Sequence, residues 1–94
     1  MRDRVVELID FVAGGNRRYK RMEELTGVKA DNWKNTCRNQ QRVTQDMVEA
    51  IGVVWPQYAY WLVTGKTDEA HGHTSPTRDR IARDLGKVKE EERQ

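Results

Sequence analysis

The stretch that decides the fold is RMEELTGVKADNWKNTCR, residues 21–38. Gly27 lies between two stretches that are each predicted to be helical. Glycine readily takes the left-handed conformation that closes a helix. Before it, Tyr19, Met22 and Leu25 recur at helical spacing, and after it a helix is predicted over about residues 30–38. The stretch therefore predicts two short helices joined by a tight turn.

The predicted helix at 30–38 has two unlike sides. At about 100° per residue, Ala30 and Cys37 fall on the side of Trp33, which is predicted to be its buried anchor. The other side is polar and carries Asp31, Lys34, Asn35 and Arg38. Asn side chains match adenine, Arg and Lys can read guanine or hold phosphates, and Asp can accept from cytosine, although an ordinary solvated helix face has a similar composition.

Helices are also predicted on both sides of this pair. An apolar stripe predicts a first helix over residues 3–13, which ends at Gly14 and Gly15, and Asn16 is expected to cap the second helix. Further along, Thr44 is expected to cap a fourth helix, with Met47, Val48 and Ile51 on its buried side.

The predicted domain closes with a fifth helix. Gly52 is expected to stop the fourth helix, Pro56 suits the first turn of the fifth, and Gly65 ends it. Large aromatic side chains at helical spacing are predicted to fill the core rather than to stack on single-stranded bases, namely Trp33, Trp55, Tyr58, Tyr60 and Trp61. Residues 1–65 are thus predicted to form an all-α, five-helix domain.

Beyond Gly65 the composition changes. Residues 66–76 are predicted to be a polar linker, and residues 77–94 a charged amphipathic tail. Within the tail Ile81, Leu85 and Val88 recur at helical spacing beside Gly86. These residues can fold back on the domain, pair with a second subunit or fray, and the sequence leaves the three alternatives open.

Charge is unevenly distributed along the chain. Residues 17–42 carry eight basic and three acidic side chains, whereas residues 66–94 carry seven of each. A local basic excess is typical of a nucleic-acid surface.

Several classes of protein are not expected. No apolar run approaches the ~20 residues of a membrane span, and the start of the chain lacks the apolar stretch of a signal peptide, so a cytoplasmic location is predicted. Cys37 is the only cysteine, and His71 and His73 have no third ligand nearby, so no metal or cofactor is expected. No nucleophile and base stand at credible spacing, so an enzyme is not expected.

The order of these elements carries a family resemblance. Residues 25–28, Trp33 to Asn35 and the ending YWLVTG at 60–65 resemble the lambda repressor and Cro-like (Xre-type) helix-turn-helix family, over about residues 3–65. The resemblance implies that the helix after Gly27 enters the major groove. Glu23 stands where the family commonly has alanine, and Lys29 where it commonly has a capping Ser or Thr.

Position by position, the resemblance and the charge pattern give a set of expected DNA contacts. Base contacts are expected from Ala30, Asp31, Lys34 and Asn35. Phosphate contacts are expected from Arg17, Arg18, Tyr19, Lys29, Arg38, Gln40, Gln41 and Arg42.

The function that this resemblance implies is sequence-specific binding of double-stranded DNA by a small phage or bacterial transcriptional regulator, a repressor acting as a homodimer. The alternative is an antitoxin or phage-encoded protein-interaction module that binds a protein partner through the tail at 77–94.

Overall fold

The computed structural model describes the backbone of residues 1–92 and the side chains of residues 1–86. Over this part of the chain the fold is all-α, with an isolated antiparallel bridge between Asp68 and His73 and no strand. The helices are α1 (Arg2–Ala13), α2 (Arg18–Thr26), α3 (Ala30–Cys37), α4 (Gln45–Val54), α5 (Pro56–Thr64) and α6 (Pro76–Glu92), with a 3₁₀ turn at Glu69–His71. None of the helices in this region is both long and apolar enough to cross a membrane.

One core lies between the first five helices. Trp33 is completely buried at its centre, as predicted, and its large ring contributes much of the apolar surface that folding removes from water. The other buried apolar residues are Val5, Leu8, Ile9, Ala13, Met22, Met47, Ile51, Tyr58, Trp61 and Leu62. Because α1, α2, α4 and α5 all contribute to this core, it fixes the position of α3.

Two predicted helix signals are confirmed by their hydrogen bonds. The Thr44 hydroxyl accepts the Met47 N–H at 3.2 Å, as an N-cap does. Gly65 closes α5 with a φ of 75°, and its N–H donates to the Trp61 carbonyl. The Arg4 guanidinium donates at 2.8 Å to the carbonyl of Leu62, which ties the end of α5 to α1.

Two other signals are wrong. Gly52 does not stop α4, which continues to Val54 and has Trp55, immediately before Pro56, as its C-cap. Proline disfavours helical backbone in the residue that precedes it, so the X-Pro step rather than the glycine ends the helix. Asn16 does not cap α2, because the N-cap is Arg17, which makes no side-chain capping hydrogen bond.

Among the predicted core residues, Leu25 and Tyr60 depart from expectation. Tyr58 and Trp61 are buried and Trp55 is half-buried, but Tyr60 is 38% exposed, and its ring lies 5.1 Å from the ring of His73. Leu25, at the C-terminal end of α2, is 44% exposed at the rim of a shallow groove between the turn and α4.

Residues 66–76, predicted to be a linker, contain the 3₁₀ turn and contact α5. The Thr74 N–H donates to the Gln57 carbonyl at 3.0 Å, and Ser75 and Pro76 are buried. The predicted tail is helical as α6, which begins at Pro76. The side chain of Val88, predicted to belong to the apolar stripe of the tail, lies outside the described residues.

Candidate nucleic-acid interface

The turn between α2 and α3 is held by hydrogen bonds at both ends. Gly27 adopts a left-handed φ of 79°, a conformation that costs glycine nothing, and its N–H donates to the Glu23 carbonyl at 2.8 Å. On the other side the Trp33 indole N–H donates to the Val28 carbonyl at 3.1 Å. The buried ring therefore fixes both α3 and the turn before it.

Glu23 on α2 contacts the start of α3, where the N-cap Lys29 makes no side-chain capping hydrogen bond. The Glu23 carboxylate accepts the N–H of Ala30, the first residue of α3, at 3.0 Å. This carboxylate satisfies one of the free N–H groups at the start of α3 and also interacts favourably with the helix dipole. Glu23 on α2 thus performs the capping that Lys29 cannot, and Lys20 lies 3.6 Å from its second oxygen.

The outer face of α3 carries the predicted base-reading residues. Asp31 is exposed, and Lys34 and Asn35 are half-exposed. Arg38, predicted to contact phosphate, is exposed at the C-cap of the helix. Ala30, also half-exposed, opens the helix at the same edge. These residues share one surface of the molecule.

The inner face of α3 includes one residue that sequence reasoning missed. Thr36 is completely buried, and its hydroxyl lies 3.6 Å from the Met47 sulfur on α4. Its position three residues after Trp33, on the same side of a helix, was the available signal.

Arg2 binds the C-terminal end of α3. Its guanidinium donates to the Cys37 carbonyl at 3.1 Å, and a cation at this end is favourable for the helix dipole. Asn39 then turns the chain with a left-handed φ of 60°, and the Gln40 N–H donates to the Asn35 carbonyl at 2.8 Å. Arg2 and residues 39–43 line an open cleft of about 530 Å³. The predicted phosphate contacts Gln40, Gln41 and Arg42 therefore lie beside the end of α3, on the same cleft.

The predicted phosphate contacts at the start of α2 differ from one another. Arg17 is exposed, and it shares a small hollow with Lys20, Arg21 and Glu24. Arg21 was absent from the predicted set, although it stands four residues after Arg17 and therefore one helical turn away. Arg18, by contrast, is bound by the Asp10 carboxylate and the Gly15 carbonyl.

Tyr19 is half-buried against α3. Burial raises the pKa of Tyr19, and the neighbouring Cys37 thiol adds to the shift. Burial likewise raises the pKa of Cys37. Both groups are therefore protonated at neutral pH, so Tyr19 retains a hydroxyl that can donate to a phosphate.

Five other basic side chains on and around α2 and α3 form no ion pair within the described part of the chain. Among the side chains of residues 1–86, none of Arg17, Lys29, Lys34, Arg38 and Arg42 forms an ion pair with a carboxylate. Within these described residues no ion pair holds their charge, so it is available to an anionic partner.

The two histidines, His71 and His73, contact different residues. His71 lies 2.8 Å from Asp68 through its Nδ1 atom, whereas His73 packs against Tyr60. In the region searched, residues 1–86, no three His, Cys, Asp or Glu side chains come together as a metal-binding group.

Comparisons of the chain with protein-family models, curated proteins and solved structures return no match.

Proposed function

We propose that this chain binds double-stranded DNA sequence-specifically, with α3 as the recognition helix in the major groove, and acts as a small transcriptional regulator of the repressor type. The observation that carries the proposal is the α2–turn–α3 unit. Its turn is closed by left-handed Gly27, and its second helix is anchored by buried Trp33 with a polar face outward.

The dimensions of α3 support this assignment. An α-helix with its side chains is about 10–12 Å in diameter, and the major groove of B-DNA, about 12 Å wide, admits it. Asn35 offers the donor and acceptor pair that matches adenine, and Lys34 can donate to guanine. Asp31 can accept from the amino group of cytosine, and its place in the first turn of α3 also suits the helix dipole.

Cations at the start of α2 and near the end of α3 support phosphate contacts that would set the register of α3 on the duplex. Arg17 and Arg21 lie at the start of α2, and Arg38 and Arg42 lie at and beyond the end of α3. Such contacts contribute affinity and orientation without sequence preference.

The experiment that tests the proposal is selection of bound duplexes from a random DNA pool, followed by binding measurements on the selected sequence. Asn35→Ala should relax the preference at one position of the site and lower affinity for the selected sequence by about 1–3 kcal/mol. Arg38→Ala is the matched variant. It should weaken selected and random sequences about equally, because a phosphate contact carries no sequence information.

Two outcomes would count against this proposal. Enrichment of no sequence, together with an affinity for random duplex that does not change with salt, would remove DNA as the partner. An unaltered site preference in Asn35→Ala and in Lys34→Ala would place base reading elsewhere on the protein.

A second candidate function is the protein-interaction module, an antitoxin or phage-encoded inhibitor. It is favoured by the apolar side chains that α6 exposes, Ile81 at 54% and Leu85 at 57%. If the wild-type protein binds no DNA in the experiment above, this second candidate becomes the better-supported function.

A further inference from the structure

The four carbonyls at the end of α3 are all hydrogen-bonded. The last four carbonyls of a helix have no partner within the helix itself. Here the N–H groups of residues 38–40 donate to the carbonyls of Lys34, Asn35 and Thr36, at 3.0, 2.8 and 3.1 Å. The Cys37 carbonyl accepts from the Arg2 guanidinium at 3.1 Å. The groups that make a helix end unfavourable for an anion are therefore covered at this end of α3.

The cleft beside this end of α3 is cationic. It is open, has a volume of about 530 Å³, and is lined by Arg2 and residues 39–43. Arg2 and Arg42 bring guanidinium groups to it, and residues 39–41 add side-chain amide donors. No carboxylate is among the described residues that line it, whereas the hollow at the start of α2 includes Glu24 beside its cations. The cleft thus combines the charge and the donors that an anion requires.

Arg2 retains donors for a further partner. Its Nη1 atom donates to the Cys37 carbonyl, and its Nη2 atom lies 3.2 Å from the carboxylate of Asp3, a side chain that is 91% exposed. A guanidinium has five N–H groups, so these two contacts do not use them all. Because an ion pair in contact with water is weak, Asp3 does not prevent Arg2 from binding a second anion.

We infer that this cleft binds one phosphodiester of the DNA backbone, held jointly by Arg2 and Arg42. The inference rests on the proposed function and adds a residue of α1 that was not among the predicted DNA contacts. The cleft adjoins the end of the proposed recognition helix, so a backbone phosphate reaches it when α3 lies in the major groove. Arg2 would then bond to the backbone of α3 and to the phosphate at once, which fixes the position of the helix on the duplex.

Salt dependence separates this contact from a purely structural role of Arg2. Arg2→Gln keeps a donor for the Cys37 carbonyl but removes the charge, and it should lower the slope of log affinity against log salt on the selected duplex. Arg4→Gln is the matched control, because Arg4 also lies on α1 and donates to the end of another helix, at the Leu62 carbonyl of α5. It removes the same charge and should leave the slope unchanged. Denaturant unfolding of each variant shows that it is folded.

The double variant tests whether the phosphate is shared. If Arg2 and Arg42 hold the same phosphate, replacing both with Gln should lower the slope by about 0.9, the value for one phosphate, rather than by twice that amount. Two separate contacts would give the larger decrease, and that result would overturn the shared site.

The phosphate itself can be located on duplexes of the selected sequence that carry one neutral methylphosphonate at a time. Wild-type protein should lose affinity at each phosphate that it contacts, because the negative charge is missing there. In the double variant one of these positions should no longer matter, and each single variant should show a smaller loss at that same position. Arg4→Gln should give the wild-type profile.

The outcomes separate this inference from the proposed function. If wild-type protein binds the selected duplex but Arg2→Gln keeps its salt slope and its methylphosphonate profile, Arg2 only caps α3 and the inference is wrong, while the proposed function stands. If wild-type protein binds no duplex in a salt-dependent manner, both are wrong. An acidic protein segment would then be the anion that fits this cleft.

Discussion

The α2–α3 unit and the α6 segment are attached to the rest of the protein by different kinds of side chain, apolar in the first and polar in the second. In α2 and α3 the apolar residues Met22 and Trp33 are completely buried, and the charged residues point outward. In α6 the contacts with α1 and α5 include those of Thr77, Asp79, Arg80 and Arg83, whereas the large apolar residues Ile81 and Leu85 are more than half exposed.

This difference shows which side chains stabilise the fold and which remain available to a partner molecule. Burial of apolar side chains is the main favourable term in folding, and α3 uses its apolar residues for that purpose. Its polar face is thereby free for another molecule. On α6 polar contacts attach the helix and leave Ile81 and Leu85 unused by the fold, so the two regions are expected to differ in stability and in the class of partner they contact.

The largest expected effect is that of Trp33→Ala. Removing a completely buried tryptophan should lower the free energy of unfolding by about 3–5 kcal/mol, because apolar burial is lost and a cavity remains. Denaturant unfolding followed by circular dichroism measures this change. Val53→Ala is the control, since an 82% exposed side chain should change stability by less than about 0.5 kcal/mol. A Trp33→Ala protein of normal stability would contradict the role of this ring as the anchor of α3.

Tyr58→Phe should lower the local stability of α6 without changing that of α3. It keeps the buried ring but removes the hydroxyl that donates to Asp79, and hydrogen bonds to charged groups contribute about 1.5–3 kcal/mol. Amide hydrogen exchange should accelerate in the first turns of α6 and stay slow in α3. Tyr60→Phe makes the same chemical change at an exposed position and should leave both unchanged. Equal acceleration in α3 and α6 would mean that the two regions unfold as one unit.

The same tyrosine predicts an alkaline weakening of the α6 attachment. Burial raises the pKa of Tyr58, and the Asp79 carboxylate raises it further above the ordinary value of 10.0. Because the folded state holds this proton more tightly than the unfolded chain, the contribution is complete below pH 10 and decreases as the pH rises above it. Stability of the wild type should therefore fall more steeply above pH 10 than that of Tyr58→Phe. Parallel curves for the two proteins would exclude this contribution.

Glu23→Ala should cost about 1 kcal/mol, as does the loss of an N-cap, because the Ala30 N–H loses its acceptor. Glu23→Gln keeps an acceptor oxygen and should recover most of the stability. Glu24→Ala, at the exposed neighbouring position, is the control and should have little effect. If Glu23→Ala matches Glu24→Ala, the carboxylate does not cap α3.

Elements that depend on local signals were predictable from the sequence. Gly27, Thr44 and Gly65 each fix one backbone conformation or one nearby hydrogen bond, and the structure confirms all three. The error at Gly52 has a local cause as well, because the stronger signal four residues later, Pro56, was assigned only to the helix that it begins.

The contacts that depend on distant partners could not be predicted in this way. Glu23 caps a helix that begins seven residues later, and Asp79 pairs with a tyrosine 21 residues earlier in the chain. The guanidinium of Arg18 is bound by Asp10 on α1, a contact that the sequence did not indicate, while its phosphate contact stays a prediction. The side-chain types were visible in the sequence, whereas the pairing depends on how α1, α5 and α6 pack together.

The smallest expected effect concerns the unequal charge of the two regions. If Arg17 neutralises a phosphate, Arg17→Ala should reduce the slope of log affinity against log salt by about 0.9, because one fewer counterion is released. Arg80→Ala removes the same charge from α6, where the guanidinium lies over Phe11, and should leave the slope unchanged. Arg18→Ala should fall between the two, since Arg18 must first be released from Asp10. Equal slopes for the Arg17 and Arg80 variants would show that net charge alone, rather than the surface around α3, governs binding to DNA.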